Sequence, residues 1–402
     1  MAKEKIMKRV LFIETGVSSG GSFESLFLIL KHLNRSKYQP SVLFLNETRY
    51  LQRCRDLGMP VYLVNDSIYT VKRNSAIKKS IYKFSNLCTK ALPSYQHYLE
   101  SIIHRSTIER VVDIIRQENI DLVYLNDHIA RDYFGMIAAM KCGVPCISHL
   151  RSVALETYSR YKVHRANAHV SAFIANSEAT RRYWSEWGID PSKMSVIYNI
   201  APEMETSTNT ANMAALSQPH AKVVGCLSRL VSWKGVGVLI DAFGRLLRTG
   251  VGSHLLIIGD GPLRQTLEQK VHSLDIDDRV TFTGYVEHPL DMMAQMDVLV
   301  LPSENEPFGR VLIEAMQVGL PVIGTRSGAI PEIIRDGENG LLVDYGDVEE
   351  LAEAMRVILE DNELAQAMVR SAKEEVHRRF SPPVIMKQLE SLLDSMLENG
   401  HV

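Results

Sequence analysis

Short apolar runs without polar alternation recur between amphipathic helical stretches along this chain, and the alternation is played through twice. The first series opens with Arg9–Glu14. Gly16-Val17-Ser18-Ser19-Gly20-Gly21 follows, and then Phe23, Leu26, Phe27, Leu30 and Leu33 share one helical face. Strand, glycine-rich loop and helix is the opening of a doubly wound unit. Ser41–Leu45, Val61–Val64, Asp121–Leu125, Pro145–Leu150, Val170–Ala175 and Met194–Tyr198 read as further strands. Helices fall at Ser106–Asn119, Arg131–Cys142 and from Ser177, as cap, to Trp187. From Ala201 to His220 the composition shifts to Ser, Thr, Asn and Pro with no period, which reads as an interdomain linker. The alternation then resumes with strands at Lys222–Cys226, Leu255–Ile258, Val280–Phe282, Val298–Leu301, Pro321–Ile323 and Leu341–Val343. Runs of this kind suit parallel sheets covered on both faces. The pattern predicts an α/β protein of two doubly wound domains with a cleft between them, divided near residues 203 and 204. Ligands in such sheets bind at the carboxyl ends of the strands.

The chain has 402 residues, enough at ~150 per domain for two or three domains. Its 45 basic and 47 acidic side chains leave a net charge of −2, which excludes a general nucleic-acid binder. Five cysteines spread over this length make no disulfide framework. The longest early apolar run, Val10–Ile13, is too short for a signal-peptide core, so a cytoplasmic protein is expected.

Three constellations carry chemistry. The densest is Glu304-Asn305-Glu306-Pro307-Phe308-Gly309-Arg310, which follows a strand and opens a helix containing Glu314. Free N–H groups of Phe308, Gly309 and Arg310 at a helix N-terminus suit a phosphate or a sugar hydroxyl. A carboxylate at Glu314 can accept hydrogen bonds from both hydroxyls of a ribose. The plain alternative is that the two acids only complement the helix dipole. The second is Ser228-Arg229-Leu230-Val231-Ser232-Trp233-Lys234-Gly235, whose Arg229 and Lys234 would neutralise a diphosphate or simply be surface cations. The third, Gly259-Asp260-Gly261-Pro262, reads as a tight turn whose glycines serve backbone geometry. Asp275-Ile276-Asp277, between a helix and a strand, reads as a loop turn, and no metal site is implied.

Together with Phe282-Thr283-Gly284-Tyr285-Val286, Gly319-Leu320-Pro321-Val322 and Gly328-Ala329-Ile330-Pro331-Glu332, these motifs in this order resemble glycosyltransferase family 4, the group 1 retaining glycosyltransferases of the GT-B fold. The resemblance covers Lys222–Val343 closely. It is looser in the first half, through Gly20-Gly21, Asn176-Ser177 and Val196-Ile197-Tyr198-Asn199. It implies two Rossmann-like domains: an acceptor domain, 1–203, joined by a C-terminal helix, 384–402, and a nucleotide-sugar domain, 204–383, that begins with the linker. It implies that Glu314 holds the ribose, that Glu306 contacts the transferred sugar, and that Arg229 and Lys234 bind the diphosphate. Gly20 and Gly21 would approach the distal phosphate, and the base would lie near Val286. Asn126 stands where the family carries a histidine, with His128 beside it. His128, His149 and Arg151 join Asn126 as acceptor-side candidates. Ser228 replaces a usual glycine, and Glu24 arrives one position late.

The implied activity is retaining, metal-independent sugar transfer from a UDP-sugar or GDP-sugar, a co-substrate, with no cofactor. A nucleotide-sugar epimerase of the same fold and a non-catalytic nucleotide-sugar-binding subunit are the competing readings. Between Val71 and Arg105 lie Lys72, Arg73, Lys78, Lys79, Lys83, Lys90 and Arg105 against one acid, Glu100, with apolar and aromatic residues interleaved. This segment reads as a solvated helix face or as a contact with an anionic membrane. The second reading implies a lipid-linked saccharide or glycolipid acceptor in cell-surface polysaccharide or lipopolysaccharide synthesis.

Overall fold

The computed structural model describes residues 7–15, 21–48, 50–64, 104–126, 129, 132–153, 160–203, 222–286 and 289–399. Gly20, His128, residues 71–103 of the basic segment and residues 204–220 of the linker lie outside the described residues. The chain divides into two compact units, Met1–Ile200 with Ile385–Val402, and Ala201–Val384.

The first unit is built on seven parallel strands: β1 (Lys8–Glu14), β2 (Tyr38–Phe44), β3 (Val61–Leu63), β4 (Leu122–Leu125), β5 (Cys146–Leu150), β6 (Ala172–Ala175) and β7 (Met194–Val196). Their order is β3-β2-β1-β4-β5-β6-β7. Alternate residues of β1 feed opposite layers, as the strand period requires. Leu11 and Ile13 pack under the helices Arg105–Gln117 and Tyr133–Cys142. Val10 and Phe12 pack under the helix Gly21–His32 and the last helix, Pro382–Asn399. That last helix buries Ile385, Met386, Leu389, Leu393 and Leu397 in this layer. The Tyr38 hydroxyl donates to Asp394 at 2.6 Å.

Strand β2 begins at Tyr38 rather than at Ser41 because Pro40 does not interrupt it. Val42 N–H donates to the Pro60 carbonyl, and the ladder with β3 begins only at Val42. The N–H that Pro40 lacks would face that same side, where no strand runs alongside. Ser177 caps the helix Glu178–Glu186 by accepting from the Thr180 N–H.

The second unit has six parallel strands: β8 (Lys222–Leu227), β9 (Ser253–Ile258), β10 (Val280–Gly284), β11 (Val298–Leu301), β12 (Val322–Thr325) and β13 (Leu341–Val343). Their order is β10-β9-β8-β11-β12-β13. In each sheet the winding reverses once, between β1 and β4 and between β8 and β11. Such a switch point, at the carboxyl edge, is where doubly wound sheets open a crevice.

Candidate active site

At the switch point of the second unit, two loops meet. The loop after β8 carries Arg229 and Lys234, and the loop after β11 carries Glu306. Gly235, at φ 67°, brings them together: a Cβ there would lie 1.9 Å from the Pro302 carbonyl oxygen. The Glu304 N–H donates to the Trp233 carbonyl at 2.7 Å. Lys234 Nζ then reaches Glu306 Oε2 at 2.5 Å, with side-chain exposures of only 14% and 10%. The ammonium also lies 4.3 Å from the centre of the Trp233 ring. A third loop, after β12, fixes Glu306 from behind, where the Ala329 N–H donates to the Glu306 carbonyl at 2.8 Å.

The helix Arg310–Val318 starts directly after this loop with Gly309 as N-cap. Its first-turn N–H groups therefore lie at the carboxyl edge of β11, as an anion site requires. Phe308 is buried against Phe380, with ring centres 5.9 Å apart. Glu314 is also buried, and Arg310 Nη2 meets its Oε1 at 2.6 Å. Arg229 is exposed, and its guanidinium has no hydrogen-bond or ion-pair partner among the described residues. Gly259 and Gly261 act as expected, on the backbone. A Cβ on Gly259 would sit 2.0 Å from the Ser228 carbonyl oxygen, and one on Gly261 2.4 Å from that of Leu230. The turn thus cradles the segment that carries Arg229. Below it, burial pushes the Cys226 thiol up to about 11, so this sulfur is no nucleophile at neutral pH. Val286 follows β10 and is part-buried beside the exposed Tyr285. Asp275 takes φ 57° and Asp277 opens a short turn before β10, the loop geometry expected of that stretch.

The first unit has its own polar cluster at its own switch point. Asn126, at the end of β4, is fully buried. Its Nδ2 donates to Glu14 at the end of β1, at 2.6 Å, and to the Ser22 carbonyl at 3.2 Å. Arg151, after β5, donates from Nε to Asn126 Oδ1 at 2.9 Å and from Nη1 to Asn199 Oδ1 at 2.8 Å. Both ends of the Asn126 amide are therefore engaged, and its place is that of a bridge between a buried carboxylate and a guanidinium. Glu14 is the residue that sequence reasoning missed. Gly21 is exposed at the start of its helix. Glu24, the displaced acid, pairs with Arg53, Nη2 to Oε2 at 3.0 Å.

His149 requires a correction. It lies inside β5, is 1% exposed, and hydrogen-bonds through Nδ1 to the Tyr124 hydroxyl. Burial, helped by Arg151, holds its pKa well below the ordinary value. It is a neutral core imidazole, not a group open to an acceptor.

Two parallel sheets, each with charged side chains at its switch point, define a protein of paired Rossmann-like domains, with a helix N-terminus at the carboxyl edge of the second. Comparison with known proteins agrees. Residues 20–201 match the family described as Glycosyltransferase Family 4, and residues 210–375 match Glycosyl transferases group 1. The chain belongs to this family. It is 38% identical over 184 residues to N-acetyl-alpha-D-glucosaminyl L-malate synthase of Bacillus anthracis, covering 45% of this chain and 48% of that protein. It is 37% identical over 183 residues to the lipopolysaccharide core biosynthesis glycosyltransferase LpsE of Rhizobium meliloti, covering 45% and 53%. The matched stretch thus spans about half the length of these curated relatives. Among solved structures, Anabaena Alr3699/HepE in complex with UDP and glucose shares the fold. Its TM-score is 0.77 at 23% identity, over 96% of this chain and 100% of that one. The fold is the GT-B pairing of two Rossmann-like domains.

Proposed function

We propose that this chain is a retaining glycosyltransferase that moves a sugar from a nucleotide-diphosphate-sugar to a hydroxyl of a saccharide or glycolipid. The observation that carries the reading is the cluster at the β8–β11 switch point. It holds one exposed guanidinium, an ammonium paired with Glu306, and a buried carboxylate at Glu314, all beside a helix N-terminus. In this reading Arg229 and Lys234 bind the diphosphate and stabilise it as it leaves, a task for preorganised cations that needs no metal. Glu306 contacts the transferred sugar and Glu314 the ribose. The bond between the sugar's anomeric carbon and the diphosphate breaks. A new bond forms to the acceptor oxygen on the same face, and the acceptor's proton passes to a leaving phosphate oxygen. Glu306 is no free nucleophile while the Lys234 ammonium holds it, which favours this same-face route over a covalent one.

The donor is a UDP-sugar or GDP-sugar, and no cofactor takes part. The acceptor belongs to lipopolysaccharide, glycolipid or other cell-surface polysaccharide synthesis. The names of relatives support this: a lipopolysaccharide core enzyme and a phosphatidylinositol monomannoside mannosyltransferase of Mycobacterium tuberculosis. Among the described residues no helix is long and apolar enough to cross a membrane. A membrane-tethered acceptor would be met from the cytoplasmic face through the basic segment 71–105. Co-sedimentation with anionic vesicles at low salt, lost when Lys78, Lys79 and Lys83 become Glu, tests that contact.

Turnover of UDP- and GDP-hexoses, with and without a saccharide acceptor, tests the reading as a whole. Release of nucleoside diphosphate that rises with acceptor is expected. Conversion of the donor to an isomer would indicate an epimerase, and donor binding without turnover a non-catalytic subunit.

A further inference from the structure

Arg310 is the first residue of its helix, and Glu314 lies one turn on. As a device for stabilising a helix, this pair runs the wrong way. It puts the cation at the positive end of the backbone dipole and the acid C-terminal to it, the less favourable i,i+4 order. Both charges are also largely withdrawn from water, at 21% and 6% side-chain exposure, which adds a desolvation cost. Yet the contact is short, and Arg310 Nη1 is buried with no hydrogen-bond partner among the described residues. A costly, well-formed pair at a sheet's switch point, with one donor left over, is an arrangement made for a ligand.

We propose that Arg310 is the positioning residue for Glu314 and so sets the preference of the site for ribose. A glutamate side chain turns about several bonds. A charge-assisted bond from a planar guanidinium to one oxygen holds the carboxylate in a single orientation toward the ribose hydroxyls. The inference rests on the nucleotide-sugar reading above and deepens it, by assigning discrimination between ribose and deoxyribose to a side chain outside the diphosphate contacts.

Calorimetric titration of the whole chain with UDP and GDP, each against its 2′-deoxy counterpart, tests this without knowing the acceptor. The wild type should bind the ribose form at least about tenfold more tightly than the deoxy form. Glu314→Gln and Arg310→Met should both bring that ratio close to one while diphosphate binding persists. Arg310→Lys, which keeps the charge without the fork, should give an intermediate ratio. Melting temperatures of the same variants separate positioning from folding. If Arg310→Met lowers the melting temperature but keeps the wild-type ratio, the pair is structural and the proposal is overturned. A wild type with no preference for ribose overturns it as well. A wild type that binds neither UDP nor GDP sinks the nucleotide-sugar reading itself, and the proposal with it.

Discussion

Lys234 Nζ and Glu306 Oε2 lie 2.5 Å apart, joined across 72 residues of chain by loops that leave neighbouring strands of one sheet. Each side chain is the other's compensation for leaving water. Removing one strands the other, and a broken buried pair costs roughly 3–5 kcal/mol. Lys234→Met and Glu306→Gln should each destabilise the chain by an amount approaching that range. The double variant should lose clearly less than the two losses added. Urea unfolding measures all three, and simple additivity would mean that the pair is not coupled.

His149 should leave its mark on stability against pH. Its folded pKa lies well below the ordinary 6.5 because the ring is buried, with Arg151 adding to the effect. Below that ordinary value the unfolded chain takes up a proton that the folded chain refuses. The contribution of this site is therefore intact above about 6.5 and drains away as the pH falls toward the folded value. The slope can reach about 1.4 kcal/mol per pH unit. Wild type should lose stability between pH 7 and pH 5 more steeply than His149→Gln. Parallel curves would mean that the imidazole is not held neutral.

Gly259→Ala is expected to act at a distance. Gly259 has φ 133°, and the added methyl would fall 2.0 Å from the Ser228 carbonyl oxygen. The strain should cost about 1–3 kcal/mol and move the segment carrying Arg229, so that kcat falls along with stability while donor affinity changes little. A variant with full kcat would show that the turn does not seat Arg229.

Much of this architecture could be read from the chain. Val298–Leu301 and Leu341–Val343 occupy the bounds expected from their apolar runs, because a strand buried on both faces needs an unbroken run. The site was legible where a motif is local, as in the Glu306-to-Glu314 stretch. It was not legible where sheet order makes the contact. Glu14 ends an apolar run and looks like its solvent-facing stop, while its partner Asn126 lies 112 residues away. Only the adjacency of β1 and β4 brings them together. The inward facing of His149 was not legible either, because the Tyr124 hydroxyl that meets it comes from the neighbouring strand β4. The Arg310–Glu314 spacing was present in the sequence, but Arg310 was read there for its backbone N–H rather than for its side chain.

Metal removal gives a simple prediction. If Arg229 and Lys234 supply the positive charge that the leaving diphosphate needs, sugar transfer should proceed undiminished in excess chelator. Loss of activity on chelation, restored by manganese or magnesium, would contradict that assignment.

The central claim is that one cluster binds and cleaves a nucleotide-sugar, and steady-state turnover of the preferred donor by folded wild type, Arg229→Ala, Lys234→Ala and Glu314→Ala tests it most directly. The account predicts that the two cation variants lose roughly 10²–10³ in kcat with little change in donor affinity, while Glu314→Ala chiefly weakens nucleotide binding. Full turnover by all three variants would contradict it.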